Sequence, residues 1–235
     1  MSIIKEKDIK AICLDIDGTL YSKMQMNLRL ALTLFPDVKL GLSFNKVRKL
    51  YRQTQEEFPP KTDDRKGFLE KQAIIYLNKD NPSQAEIDKI INKIEHQFYS
   101  AWAESFKTIK GFANMREVLL KAKQKGIKIA LLSDFPIADK VNTLGLSDIV
   151  DFATSTEESG YLKPSEKTFI YLINKINVDP KNCIYFGDSY TKDMVGAKKL
   201  NMQTLYISNK KKSEKYNKAD YICKDWFEIE ALLFN

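Results

Sequence analysis

A chain of 235 residues is long enough for one large domain, or for a core domain carrying an insert. Its 43% apolar and 29% charged residues suit a globular protein, and no run of about 18 or more apolar residues predicts a membrane-spanning helix. The formal charge of +7 is spread along the chain rather than gathered on one aromatic-rich stretch, which argues against a nucleic-acid partner. Met1 to Lys10 is short and charged with no apolar segment, so no secretory signal is expected and the cytoplasm is the default location. Cys13, Cys183 and Cys223 fit no zinc or CxxC spacing, and each lies in or beside an apolar run. They read as buried, reduced thiols.

Short apolar runs that end in polar residues organise the sequence. Ala11 to Leu14 leads into Asp15, Ile127 to Leu132 into Ser133, and Asn182 to Phe186 into Gly187-Asp188. Ile149 to Ala153 and Thr204 to Ile207 are two further runs. Without clean alternation of apolar and polar residues, these runs suit strands buried on both faces of a parallel sheet. Helical patterns lie between them: Met115 to Lys125, stopped by Gly126; Ser165 to Ile176, opened by Lys163-Pro164; and Thr191 to Leu200. Strand and helix alternating in this way predict a doubly wound α/β fold, whose ligands bind beyond the carboxyl ends of the strands.

From about Tyr21 to Lys107 the alternation stops. Ser43 opens a pattern with Val47, Leu50, Tyr51 and Thr54 on one face, and Arg65 to Leu77 is helical in pattern. Ser83 with Glu86 forms a capping-box signature ahead of the stripe Ile87, Ile90, Ile91, Ile94 and Phe98. Pro59-Pro60 and Asn81-Pro82 punctuate these patterns. An all-helical insert after the first strand is therefore expected. Met24, Met26, Leu28, Leu30, Leu32 and Leu34 alternate as a strand would, but we assign this stretch to helix as well. Phe98 and Trp102 are expected in the core of the insert, and His96 and Lys210 to Lys212 in solvent.

Four places carry the chemistry. Asp15-Ile16-Asp17-Gly18-Thr19-Leu20 follows the first strand; paired carboxylates can divide nucleophile or metal-ligand work from proton transfer. Ser133 ends the second run, where a hydroxyl and free N–H groups can hold a phosphoryl oxygen. Lys163 can neutralise phosphate or crowded carboxylates at a helix entrance. Asp188 and Asp193, in Gly187-Asp188-Ser189-Tyr190-Thr191-Lys192-Asp193, either cap a helix or, with Asp15, supply hard oxygens to Mg²⁺.

In this order the four motifs resemble the haloacid dehalogenase superfamily of hydrolases. The resemblance covers nearly the whole chain, including Lys163-Pro164-Ser165 with Phe169 and the Gly-Ala that follows Asp193. It implies a Rossmann-like core from residues 1–20 and 108–235, with a helical type 1 cap from 21–107. It further implies that Asp15 is phosphorylated during turnover, and that Asp17 protonates the leaving group and then activates water. Ser133 and Lys163 would hold the phosphoryl group. Asp15, Asp188 and the backbone carbonyl of Asp17 would hold Mg²⁺, and Asp193 would support the metal or orient Lys163. Many relatives have Asn where this chain has Asp134, so Asp134 becomes a candidate for contact with the substrate near its phosphate, or else a helix cap. Arg65, beside Lys66 and Gly67 in the cap, is a candidate for binding a remote anion of the substrate.

The expected reaction is Mg²⁺-dependent hydrolysis of a small phosphorylated metabolite by a monomer or homodimer, with no membrane or nucleic-acid partner. A sugar-phosphate mutase would use the same residues with water excluded. A dehalogenase is disfavoured by the presence of Asp17, and a non-catalytic binding protein by the filled set of motif positions.

Overall fold

A computed structural model describes residues 2–33 and 38–235. Six strands form one parallel sheet: β1 (Ala11–Leu14), β2 (Lys128–Ser133), β3 (Phe152–Ser155), β4 (Cys183–Gly187), β5 (Gln203–Ile207) and β6 (Tyr221–Cys223), in the order β3-β2-β1-β4-β5-β6. In register, Ile12 lies opposite Ile129 on one side and Ile184 on the other. Every residue of β1 and β4 is buried, as a strand covered on both faces requires. Ile12, Leu14, Ile129, Leu131 and Trp226 pack on one face; Cys13, Ala130, Leu132, Phe169 and Tyr185 pack on the other. All three cysteines are buried free thiols. The order reverses at β1, so the carboxyl ends of β1, β2 and β4 border the switch point where such sheets bind ligands.

The eleven helices among the described residues are α1 (Ile3–Glu6), α2 (Lys23–Thr33), α3 (Val38–Thr54), α4 (Arg65–Leu77), α5 (Gln84–Lys93), α6 (Ser100–Phe106), α7 (Met115–Gln124), α8 (Lys140–Thr143), α9 (Glu166–Ile176), α10 (Val195–Lys198) and α11 (Trp226–Phe234). Among the described residues the elements between β1 and β2 are helical apart from isolated bridges; α7 packs on β2 and α11, and α2 to α6 ahead of it form the helical cap. The Ser83–Glu86 capping box opens α5, and a π-helical turn, Ile94–Tyr99, joins α5 to α6. The chain enters and leaves the cap side by side, through a bridge between Tyr21 and Gly111.

Two sequence expectations shift, and one strand was not expected. The run at Ile149 begins inside a turn, where the Ile149 and Val150 amides donate to Leu146 O, and the strand starts only at Phe152. β6 is three residues long and gave no readable pattern. The helix expected from Ser43 begins at Val38. The alternating stretch is the helix α2. A helix turns 100° per residue, so it cannot bury every second side chain: Met26 is buried, while Met24 and Leu28 face solvent. Leu34 and the side chains of Leu30 and Leu32 lie outside the described residues. No helix among the described residues is long and apolar enough to cross a membrane.

Candidate active site

Asp15, Ser133 and Asp188 stand at the carboxyl ends of β1, β2 and β4 or one residue beyond. The sheet register therefore brings together side chains far apart in sequence. Lys163 comes from the loop before α9, and its Nζ sits 2.6 Å from Asp15 Oδ1 and 2.8 Å from Asp193 Oδ1. It also donates to Leu132 O and Tyr185 Oη, both at 3.3 Å. This lysine is 1% exposed. Burial opposes its charge, but Asp15 and Asp193 outweigh that and hold its pKa well above the usual lysine value. Asp193 lies in the π-helical turn Tyr190–Met194 and accepts the Ser189 amide at 3.0 Å. A Cβ on Gly187 would lie 2.4 Å from Asp193, so a glycine is needed at the end of β4 for this turn to close.

Asp15, Asp188 and Asp193 each offer a carboxylate oxygen, all within 4.8 Å of one another. Burial pushes the Asp15 carboxyl up to about 6 against the pull of Lys163. It also raises Asp188 and Asp193. Asp188 Oδ1 is buried without a hydrogen-bond partner, while its Oδ2 accepts from Lys23 Nζ at 2.5 Å. A crowded set of hard oxygens with one unsatisfied acceptor fits a divalent cation. Gly18, at φ +106°, lets the chain turn here; a Cβ would meet Asp188 Oδ2 at 2.4 Å.

The Asp17 carboxylate points elsewhere. Tyr21 Oη donates to its Oδ1 at 2.5 Å, Ser133 Oγ to its Oδ2 at 2.8 Å, and Lys140 Nζ to both oxygens at 3.1 and 3.0 Å. Burial would raise this carboxyl, but Lys140 and the hydroxyl donors hold it below the usual range. Its side chain is outside the three-acid cluster of Asp15, Asp188 and Asp193.

Asp134 is 5% exposed and faces the cap. Its Oδ2 takes Arg52 Nη2 at 2.7 Å and Lys192 Nζ at 3.1 Å. Despite burial, these two cations keep the carboxyl well below its normal pKa. Asp134 is thus an anchor for α3 and neutralises part of the positive charge beside the site.

Arg65 does not reach this place. Its guanidinium pairs with Glu95 at 2.8 Å and lies 3.6 Å from Glu157, within the cap and its edge. The cap cations near the acids are instead Lys23 and Arg52. A cavity of about 210 Å³ over Asp17 is walled by Tyr21, Asn45, Arg52, Phe98, Trp102 and Lys192, among others. Phe98 and Trp102 therefore belong to the cap core and also line the cavity. Below it, a space of about 60 Å³ reaches Asp15, Lys163 and Asp188. Arg48, one turn before Arg52, is buried against Glu157 Oε1 at 2.8 Å; with Tyr51 on Gly160 O and Gln55 on Leu162, it fixes α3 to the core.

Sequence reasoning missed Lys140, Tyr21, Lys23, Arg52 and Lys192. Lys192 was visible in the fourth motif. Nothing local marked Lys140.

A family model described as haloacid dehalogenase-like hydrolase matches residues 9–201. The chain belongs to the haloacid dehalogenase-like hydrolases. This hydrolase is 22% identical over 207 residues to the glyceraldehyde 3-phosphate phosphatase of Methanothermobacter thermautotrophicus, covering 86% of each chain. A crystal structure of a phosphatase of the family from Thermococcus onnurineus superposes with a TM-score of 0.63 at 22% identity, over 96% of this chain and 98% of that one. An L-2-haloacid dehalogenase superposes with a TM-score of 0.67 at 15% identity, over 97% and 99%. Phosphatase and dehalogenase thus share this hydrolase's fold.

Proposed function

We propose that the chain hydrolyses phosphate monoesters of small metabolites through an aspartyl-phosphate on Asp15. The observation that carries this reading is the buried Lys163 bridging Asp15 and Asp193 beside an acid cluster with an unsatisfied oxygen. Such a cradle balances the charge of a phosphoryl dianion against a carboxylate nucleophile. The named phosphatase relative supports the same class.

In the first step an Asp15 oxygen bonds to phosphorus, the ester P–O bond breaks, and Asp17, ionised in the free protein and protonated as the ester binds, gives that proton to the leaving alkoxide. In the second, water attacks phosphorus, Asp17 takes its proton, and the Asp15–phosphorus bond breaks to release phosphate. Lys163 holds the phosphoryl oxygens throughout, and Ser133 lies near enough to share that task. Asp15, Asp188 and Asp193, with the Asp17 backbone carbonyl, would hold Mg²⁺, which supplies charge neutralisation at the phosphoryl group. We assign residues 1–20 and 108–235 to the catalytic core and 21–107 to the cap. The adjacent crossings at Tyr21 and Gly111 support this division.

The cavity of about 210 Å³ suits a compact substrate. Arg52 and Lys192 share one carboxylate, Asp134, so their pair keeps a net positive charge that favours an electron-rich group on the substrate. The test is phosphate release from a panel of three- to six-carbon phosphate esters, with Mg²⁺ and with chelator. Release that needs the metal is expected. Metal-independent release, or chloride release from a 2-chloroacid in its place, contradicts the reading.

A further inference from the structure

Lys140 belongs to none of the four motifs, yet it is among the most deeply buried cations of the molecule, at 1% exposure. It opens the four-residue helix α8, seven residues after Ser133. A lysine ammonium has three protons to donate. Here Nζ meets Asp17 Oδ1 at 3.1 Å, Asp17 Oδ2 at 3.0 Å and Ser133 Oγ at 3.0 Å. The walls around it are aromatic: Nζ lies 5.7 Å from the ring centre of Trp102, 5.6 Å from Phe106 and 5.8 Å from Phe135. Asp17 is the one acid paired with it among the described residues.

Burying an ammonium costs several kcal/mol unless a partner offsets it. A fold that needed only packing here would be served by a leucine or methionine. The geometry instead spends the charge on one carboxylate. Asp17 follows the end of β1 on a turn, where nothing in the backbone dictates the plane of its side chain. Contact with both oxygens from one side, together with Tyr21 and Ser133, fixes that plane.

We propose that Lys140 is a positioning residue that aims Asp17 at the ester oxygen of the substrate. The rings of Trp102 and Phe106, both from α6, cover it, so the cap helps to hold the proton-transfer group of the core. This inference rests on the role given to Asp17 in the proposed function.

The test uses leaving-group dependence, which a merely structural role would not move. Phenolate is a poor leaving group and needs the proton from Asp17; 2,4-dinitrophenolate leaves without it. Lys140→Met should lower kcat on phenyl phosphate by about 100-fold, with a loss roughly 10-fold smaller on 2,4-dinitrophenyl phosphate and KM nearly constant for both. Turnover of the activated ester also reports that the variant is folded, and Lys140→Gln, which keeps a neutral donor group, serves if Lys140→Met is not. In an Asp17→Asn background the Lys140 substitution should add almost nothing on phenyl phosphate. Equal losses on the two esters, or a full additional loss in the Asp17→Asn background, would overturn the positioning role while leaving the phosphatase reading intact. A wild-type enzyme that releases phosphate from neither ester would overturn both.

Discussion

The core side and the cap side of the cleft are built differently. On the core side, Asp15, Ser133, Lys163 and Asp193 are each at most 5% exposed and are tied to strand ends or to one another. On the cap side, the Lys23 side chain is 50% exposed and that of Arg52 19%, and both reach across to acids of the core. The buried half is held by many contacts at once and has little freedom to rearrange. At the cleft itself the cap contributes ion pairs that are partly open to solvent, although α3 is anchored deeper by the buried Arg48–Glu157 pair. The acids proposed for chemistry are therefore held rigidly by the sheet, while the cap cations proposed to meet the substrate are held by partly exposed pairs.

Breaking the core half should have the largest effect. Asp15→Asn removes the nucleophile without changing shape and should lower kcat by something on the order of 10⁴-fold, with the thermal midpoint nearly unchanged. Steady-state phosphate release and a melting curve on the same sample decide this. Next comes the joint between the halves. Arg48 and Glu157 have side chains only 2% and 0% exposed, so Arg48→Met leaves a buried carboxylate with only Tyr99 Oη and the more distant Arg65 as partners among the described residues. A loss of about 3–5 kcal/mol in unfolding free energy is expected from urea titration. A loss below about 1 kcal/mol would mean that α3 is held by its apolar face alone.

Smaller effects sharpen the cap half. Arg52→Ala should raise KM roughly tenfold, about 1.4 kcal/mol, for a metabolite ester while changing KM less for phenyl phosphate. Equal effects on both would move Arg52 from substrate recognition to general support of Asp134. Arg65→Ala should leave both KM values alone, because its partners are Glu95 and Glu157. Lys23→Met should tighten Mg²⁺ binding by a few-fold in calorimetric titration, since the Lys23 ammonium competes for Asp188 Oδ2 at 2.5 Å. Weaker binding in that variant would contradict competition.

What the sequence made legible follows the same division. Asp15, Ser133 and Asp188 each end an apolar run, and a parallel sheet gathers strand ends whatever the loops do. Lys163 and Asp193 were readable because they lie in recognisable motifs beside helix starts. Lys140 was not readable. It sits on a four-residue helix with no periodicity, in a chain rich in lysine, and its burial depends on Trp102 and Phe106 from the cap. Arg65 lies away from the acids of the site for a related reason. Local pattern shows that α4 is a helix, but the direction of its first turn depends on Glu95 at the start of the π-helical turn beyond α5. Facing between cap helices is a tertiary property, and Arg52 rather than Arg65 ends up over the site.

The proposed turnover passes through a covalent bond between Asp15 and phosphorus. Acid quenching within a single turnover, followed by peptide mass mapping, looks for that bond directly. A phosphoryl group on the peptide that carries Asp15, absent from Asp15→Asn, is the predicted result. Phosphate release that proceeds at full rate in Asp15→Asn, with no phosphorylated peptide in the wild type, would contradict it and point to direct attack by water.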